Sequence, residues 1–206
     1  MDSSPLLVSR QYDNNFCIWY MNHDYKAFYR DKTAVFRDLE LYDRIIASSS
    51  SPDRILLESD LTRIALETGS TASESNSFAH ATMELVQNSS MHNYNTSRGV
   101  IHIHARFTDL YNLSSVVSDG RTASFEDVKN AFESSLSFYK TLGLVRENKI
   151  PKEELHRLLD GRRGKGIKEA IAQSDYFGFN LEDRRHYQMI ISLKGTRHSP
   201  QKFINV

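Results

Sequence analysis

The stretch Gly99-Val100-Ile101-His102-Ile103-His104-Ala105-Arg106-Phe107 constrains the fold of this chain more than any other. It is rich in β-branched residues, and neither Gly nor Pro interrupts it after Gly99, so it reads as a strand. Side chains on a strand alternate between faces, so His102 and His104 project to one side and Ile101 and Ile103 to the other. Two imidazoles sharing a face form either the polar side of a half-buried strand or a pair of metal ligands.

The segments before this strand read mostly as helices. Phe16–Met21 is a short strand or packed segment, and Phe28, Val35, Phe36, Leu39, Tyr42, Ile45 and Ile46 recur at helical spacing, predicting a helix over Thr33–Ala47. Ile55–Leu57 is a short strand candidate, and Ser59 caps a helix over Asp60–Glu67 that stops at Gly69. A second helix follows over Ser75–Asn88, with Phe78, Ala81, Thr82, Leu85 and Val86 on its buried face. Leu110, Leu113, Val116 and Val117 lie in a connector. Ser124 then caps a helix ending at Gly143, Pro151 opens another, a third spans Ile167–Gln173, and Arg184–Gly195 closes as a strand.

Helix, glycine turn, helix and strand in this order are similar in layout to a winged helix-turn-helix. Leu61–Gly69 resembles the first helix and its turn, Ser77–Asn88 the recognition helix, and Ser97–Ile103 the wing. Over roughly residues 16–107 the chain resembles plasmid and phage replication initiators of the winged-helix kind and related regulators. The resemblance implies an α+β, predominantly helical protein of two winged-helix-like units with short β-wings. Residues 1–15 would form a flexible N-terminus, 16–120 the first unit and 121–206 the second. Initiators with two such units often use the first for dimerisation and the second for DNA. The absence of Lys and Arg from Ser77–Asn88 agrees with that division, because a helix in the major groove is held largely by phosphate contacts.

Charge points the same way. The chain is neutral overall, but residues 140–206 hold 14 Lys and Arg against 8 Asp and Glu, a net of +6, and residues 1–139 hold 12 against 18, a net of −6. A basic back half suggests a polyanion partner, here nucleic acid and most simply duplex DNA. Arg162, Arg163, Lys165 and Lys168 surround Gly161, Gly164 and Gly166 immediately before a helix, a place where backbone and cations can meet phosphate. Arg184, Arg185, Lys194 and Arg197 would add contacts from the final strand. The alternative for all of these is a solvated surface. The glycine spacing is not that of a nucleotide-binding loop, and no cofactor is expected.

The histidine pair supports a different reading. His-apolar-His resembles the pattern of rolling-circle nucleases of the HUH type, which hold a divalent metal on one strand and attack DNA with a tyrosine. That resemblance implies His102 and His104 as ligands, His92 or His80 as a third, and Tyr25 or Tyr29 as nucleophile, the tyrosine preceding the histidines as it does in relaxases. A third reading is a non-enzymatic interaction protein that docks through its aromatic-rich front. Cys17 is the only cysteine, which excludes an intramolecular disulfide and a cysteine metal cluster. No apolar run approaches a bilayer span, and no basic residue precedes the short apolar patch at the N-terminus, so a cytoplasmic protein is expected.

Overall fold

A computed structural model describes residues 6–12, 15–21, 38–47, 54–92, 99–119, 149, 151, 165–182 and 185–195. Among these residues lie seven strands and three helices: β1 (Leu6–Tyr12), β2 (Asn15–Met21), β3 (Asp38–Ala47), α1 (Arg54–Glu67), α2 (Ala72–His92), β4 (Val100–Thr108), β5 (Tyr111–Asp119), α3 (Lys165–Ala172), β6 (Tyr176–Glu182) and β7 (Arg185–Leu193). The strands form one sheet in the order β1-β2-β6-β7-β5-β4-β3. Every neighbouring pair is antiparallel.

This overturns the expected fold class. The described chain is not a predominantly helical pair of winged-helix units, because the sheet is its largest element. Strands β6 and β7 lie between β2 and β5, so the sheet does not divide at residue 120. Residues 6–12, expected to be flexible, pair along their whole length with β2. The helix expected over Thr33–Ala47 is strand β3 from Asp38 onward, because Tyr42 and Ile46 alternate onto the core while Leu41, Asp43 and Ile45 face away. The expected strand at Ile55–Leu57 lies in the first turn of α1, so Ser59, expected as a cap, falls inside that helix. The connector after Phe107 is β5, and β6 was not anticipated. The helices expected from Ser124 and from Pro151 fall outside the described residues, save Pro151 itself.

The end of the first helix and strand β4 lie where expected, and the second helix starts earlier than Ser75. Gly69 closes α1 with φ of +96°, the left-handed value that glycine takes at no steric cost. Ser70 N donates to Ala65 O and Gly69 N to Leu66 O, the paired bonds that satisfy the last carbonyls of a helix. Two residues later α2 starts with a reciprocal cap: Glu74 N donates to Thr71 Oγ1 at 3.3 Å and Thr71 N to Glu74 Oε2 at 2.8 Å. Strand β4 lies almost where predicted, and a tight turn at Thr108–Tyr111 returns the chain as β5, with Thr108 Oγ1 accepting from the amides of Leu110 and Tyr111.

The core lies between the helices and one face of the sheet. Ile101, Ile103, Ala105 and Phe107 of β4 belong to one buried cluster with Leu61 and Ala65 of α1 and Phe78, Met83 and Leu85 of α2. Phe78 packs edge-to-face on Phe107 with ring centroids 5.6 Å apart. Helix α2 crosses β5 and β7 over a polar seam. Gln188 accepts from Asn88 at 3.0 Å and donates to Ser89 Oγ at 2.9 Å, while Asn112 donates to Ser70 Oγ. Ile167, Ala170 and Ile171 of α3 and Phe177 of β6 belong to the same cluster. No helix among the described residues is long and apolar enough to cross a membrane.

Candidate functional site

Because Ile101, Ile103, Ala105 and Phe107 fill the core, alternation sends His102, His104 and Arg106 to the face of β4 turned away from α1 and α2. Antiparallel pairing then decides their neighbours. On β3, Ile45 lies opposite His102, Asp43 opposite His104 and Leu41 opposite Arg106. On β5, the corresponding partners are Val117, Ser115 and Leu113. The His102 and His104 rings lie nearly parallel, with planes 23° apart and centroids separated by 6.0 Å.

Asp43 Oδ1 is 3.2 Å from His104 Nδ1. A carboxylate at that nitrogen favours the proton on Nδ1, which leaves the lone pair on Nε2 and fixes the ring's rotation. His104 is about half exposed and Asp43 more so, so this face is open to solvent at the pair. One strand position further, the Arg106 guanidinium makes a two-pronged pair with Asp38. The arrangement provides two imidazoles on one exposed face, one held by a carboxylate, beside a guanidinium that is already partnered. That donor set suits a borderline divalent cation.

The other anticipated ligands divide. His80 lies on α2, the helix packed through Phe78 against the opposite face of the sheet, so it cannot join His102 and His104. His92 is the last residue of α2 and its side chain lies outside the described residues, as do Tyr25 and Tyr29 altogether. Asp43 was not anticipated. Its neighbour His104 is distant in sequence, and only the β3–β4 register brings them together.

The anticipated phosphate-binding cations are not equivalent. Lys168 is buried at 5% exposure in α3, and loss of water holds its pKa below the usual lysine value. Lys194 is half-buried, its pKa is also lowered by desolvation, and its Nζ donates to Thr68 O at 2.7 Å, pinning the end of α1 to the end of β7. Arg185 is exposed at the start of β7, opposite Asp119 of β5 and Glu182 of β6. Lys165 is the first residue of α3, with its side chain outside the described residues. Arg162, Arg163, Arg184 and Arg197 also lie outside them. Sequence comparison finds no protein-family model and no curated protein that matches this chain.

Proposed function

We propose that this protein acts on nucleic acid as a metal-dependent nuclease, with His102 and His104 as ligands of a divalent cation. The observation that carries the reading is the pairing of His104 Nδ1 with Asp43 Oδ1 beside His102 on one exposed sheet face. A carboxylate at Nδ1 leaves Nε2 of His104 available as the ligand atom. A bound divalent ion would supply polarisation of a phosphoryl oxygen. Tyr25 and Tyr29 are the candidate nucleophiles: the phenolic oxygen bonds to phosphorus, the bond to the leaving sugar oxygen breaks, and the phenolic proton ends on that oxygen. The +6 charge of residues 140–206 supplies long-range attraction for the phosphodiester chain.

The reading is tested with labelled single-stranded DNA and Mn²⁺. Cleavage with a covalent protein–DNA adduct is expected, lost in the His102→Ala/His104→Ala variant and in Tyr25→Phe or Tyr29→Phe. Asp43→Asn is expected to lower metal affinity or activity about 10- to 100-fold, the range for groups that orient a ligand. Cleavage that persists without both histidines, or no cleavage of single-stranded DNA or RNA at low salt, refutes it.

A further inference from the structure

On the opposite side of the sheet, where α1, α2 and α3 meet, a second set of ligand-type side chains converges. His80 and Glu84 lie one turn apart on α2, Glu169 comes from α3, and Arg54 and Glu58 come from the first turns of α1. Ligand atoms of His80, Glu84 and Glu169 all lie within 4.8 Å of one another. The His80 ring has two differently furnished edges. Nε2 faces Glu84 Oε1 at 3.8 Å and Glu169 Oε2 at 3.7 Å. Nδ1 faces Glu58 Oε1 at 3.5 Å and Arg54 Nη2 at 3.2 Å.

The distances at Nε2 select the occupant. At 3.7 and 3.8 Å they exceed hydrogen-bond length, so no shared proton holds these groups together. Around a metal bound at about 2.0–2.1 Å, however, tetrahedral ligand atoms stand about 3.4 Å apart, a contraction of a few tenths of an ångström from the two distances at Nε2, with the two carboxylates already within 4.8 Å of one another. Glu84 is set firmly for this. Its side chain is 11% exposed and accepts from Arg54 Nη2 at 3.0 Å. A Cβ at position 166 would fall 2.8 Å from Glu84 Oε2, so the glycine there leaves room for the carboxylate under the start of α3. His80, Glu58 and Glu169 are each about one-third exposed, which gives an ion a way in.

We propose that His80 Nε2, Glu84 and Glu169 form a Zn²⁺-type divalent metal site that ties α3 to α2, separate from the histidine pair on β4. One imidazole nitrogen and two carboxylate oxygens are a ligand set of zinc, with a water as fourth ligand. Ligation at Nε2 puts the His80 proton on Nδ1, where Glu58 accepts it. Arg54, a donor, then gives up Nδ1 and stays with Glu84. Glu58 thus orients the ligand as Asp43 orients His104 on the other face.

The test uses the full chain carrying His102→Ala and His104→Ala, so that the β4 pair contributes nothing. Zn²⁺ is titrated by calorimetry, and Co²⁺ serves as a visible-spectrum stand-in. One bound equivalent with tetrahedral Co²⁺ absorption is expected. Adding His80→Ala or Glu169→Gln is expected to weaken binding at least tenfold, and Glu58→Gln about 10- to 100-fold. Glu169→Gln alters a partly exposed side chain, and its unfolding midpoint without metal shows whether the fold is kept. A double-histidine variant that binds no Zn²⁺ overturns the proposal, as does binding unchanged by both His80→Ala and Glu169→Gln. Neither result bears on cleavage at His102 and His104.

Discussion

Replacing Phe78 with Ala measures how firmly α2, which carries His80 and Glu84, is held to the sheet. Phe78 is fully buried and its ring meets Phe107 edge-to-face at 5.6 Å. Truncating a buried phenylalanine costs about 3–5 kcal/mol, because the lost apolar transfer is joined by a cavity that its neighbours fill only in part. The aromatic pair adds about 0.5–1.5 kcal/mol beyond area. The surroundings are stiff, since Phe107 and Ile103 are fixed by strand pairing and Met83 and Leu85 by the helix, which favours a cost of about 4 kcal/mol or more. Urea unfolding followed by far-UV circular dichroism reads this as a fall in midpoint at unchanged slope. Phe107→Ala and the double variant complete a cycle whose coupling should be about 1 kcal/mol. A loss below about 1.5 kcal/mol for Phe78→Ala would refute the reasoning, since a solvent-facing Phe78 would produce that result.

Two further outcomes follow from the same core. Gln188→Leu strands the Asn88 amide and the Ser89 hydroxyl beneath α2, so a loss of about 1–3 kcal/mol is expected by chemical denaturation, whereas a neutral result would mean the seam takes up water. Lys168 has its pKa lowered by desolvation, so between its folded pKa and 10.5 the unfolded chain binds more protons at this site than the folded one. Its burden on stability is therefore full at pH values below its folded pKa and eases as pH rises from there towards 10.5. Wild type should gain stability on Lys168→Met over that alkaline interval in paired denaturation curves, and parallel curves would show that Lys168 keeps its ordinary pKa.

What the sequence revealed depended on whether the deciding partner was local. Gly69 marked the end of α1 because a left-handed residue after a helix is a local requirement. Strand β4 announced itself because its apolar positions have period two and its ends are clean. Asp38–Ala47 failed because Leu39, Tyr42, Ile45 and Ile46 satisfy helical spacing equally well, and only pairing with β4 decides between the two. Strand β5 was hidden by Ser114, Ser115 and Ser118, whose place in a buried sheet comes from neighbouring strands. Strand β6 was hidden by Gly178, a residue that reads as a breaker yet lies opposite Met189 in mid-sheet. The sites divide likewise. His102 with His104, and His80 with Glu84, share a face by spacing alone, but Asp43 and Glu169 arrive through tertiary structure.

The order of strands also governs how this chain can be made. Phe16 of β2 pairs with Leu181, and Asp119 of β5 with Arg185, so both inner edges of the early sheet wait for residues near the far end of the sequence. A ribosome delivers about 5–20 residues per second, which leaves β1–β2 and β3–β4–β5 as separate ribbons with open backbone donors and acceptors for many seconds. Contacts so far apart in sequence also close late once synthesis is complete, since loop entropy must be overcome before they form. During that interval the unpaired edges of β2 and β5 can template pairing with another nascent copy. The β6–β7 hairpin is thus the keystone of assembly, and a chain cut short before Tyr176 should be recovered as aggregate, since it cannot join its two half-sheets.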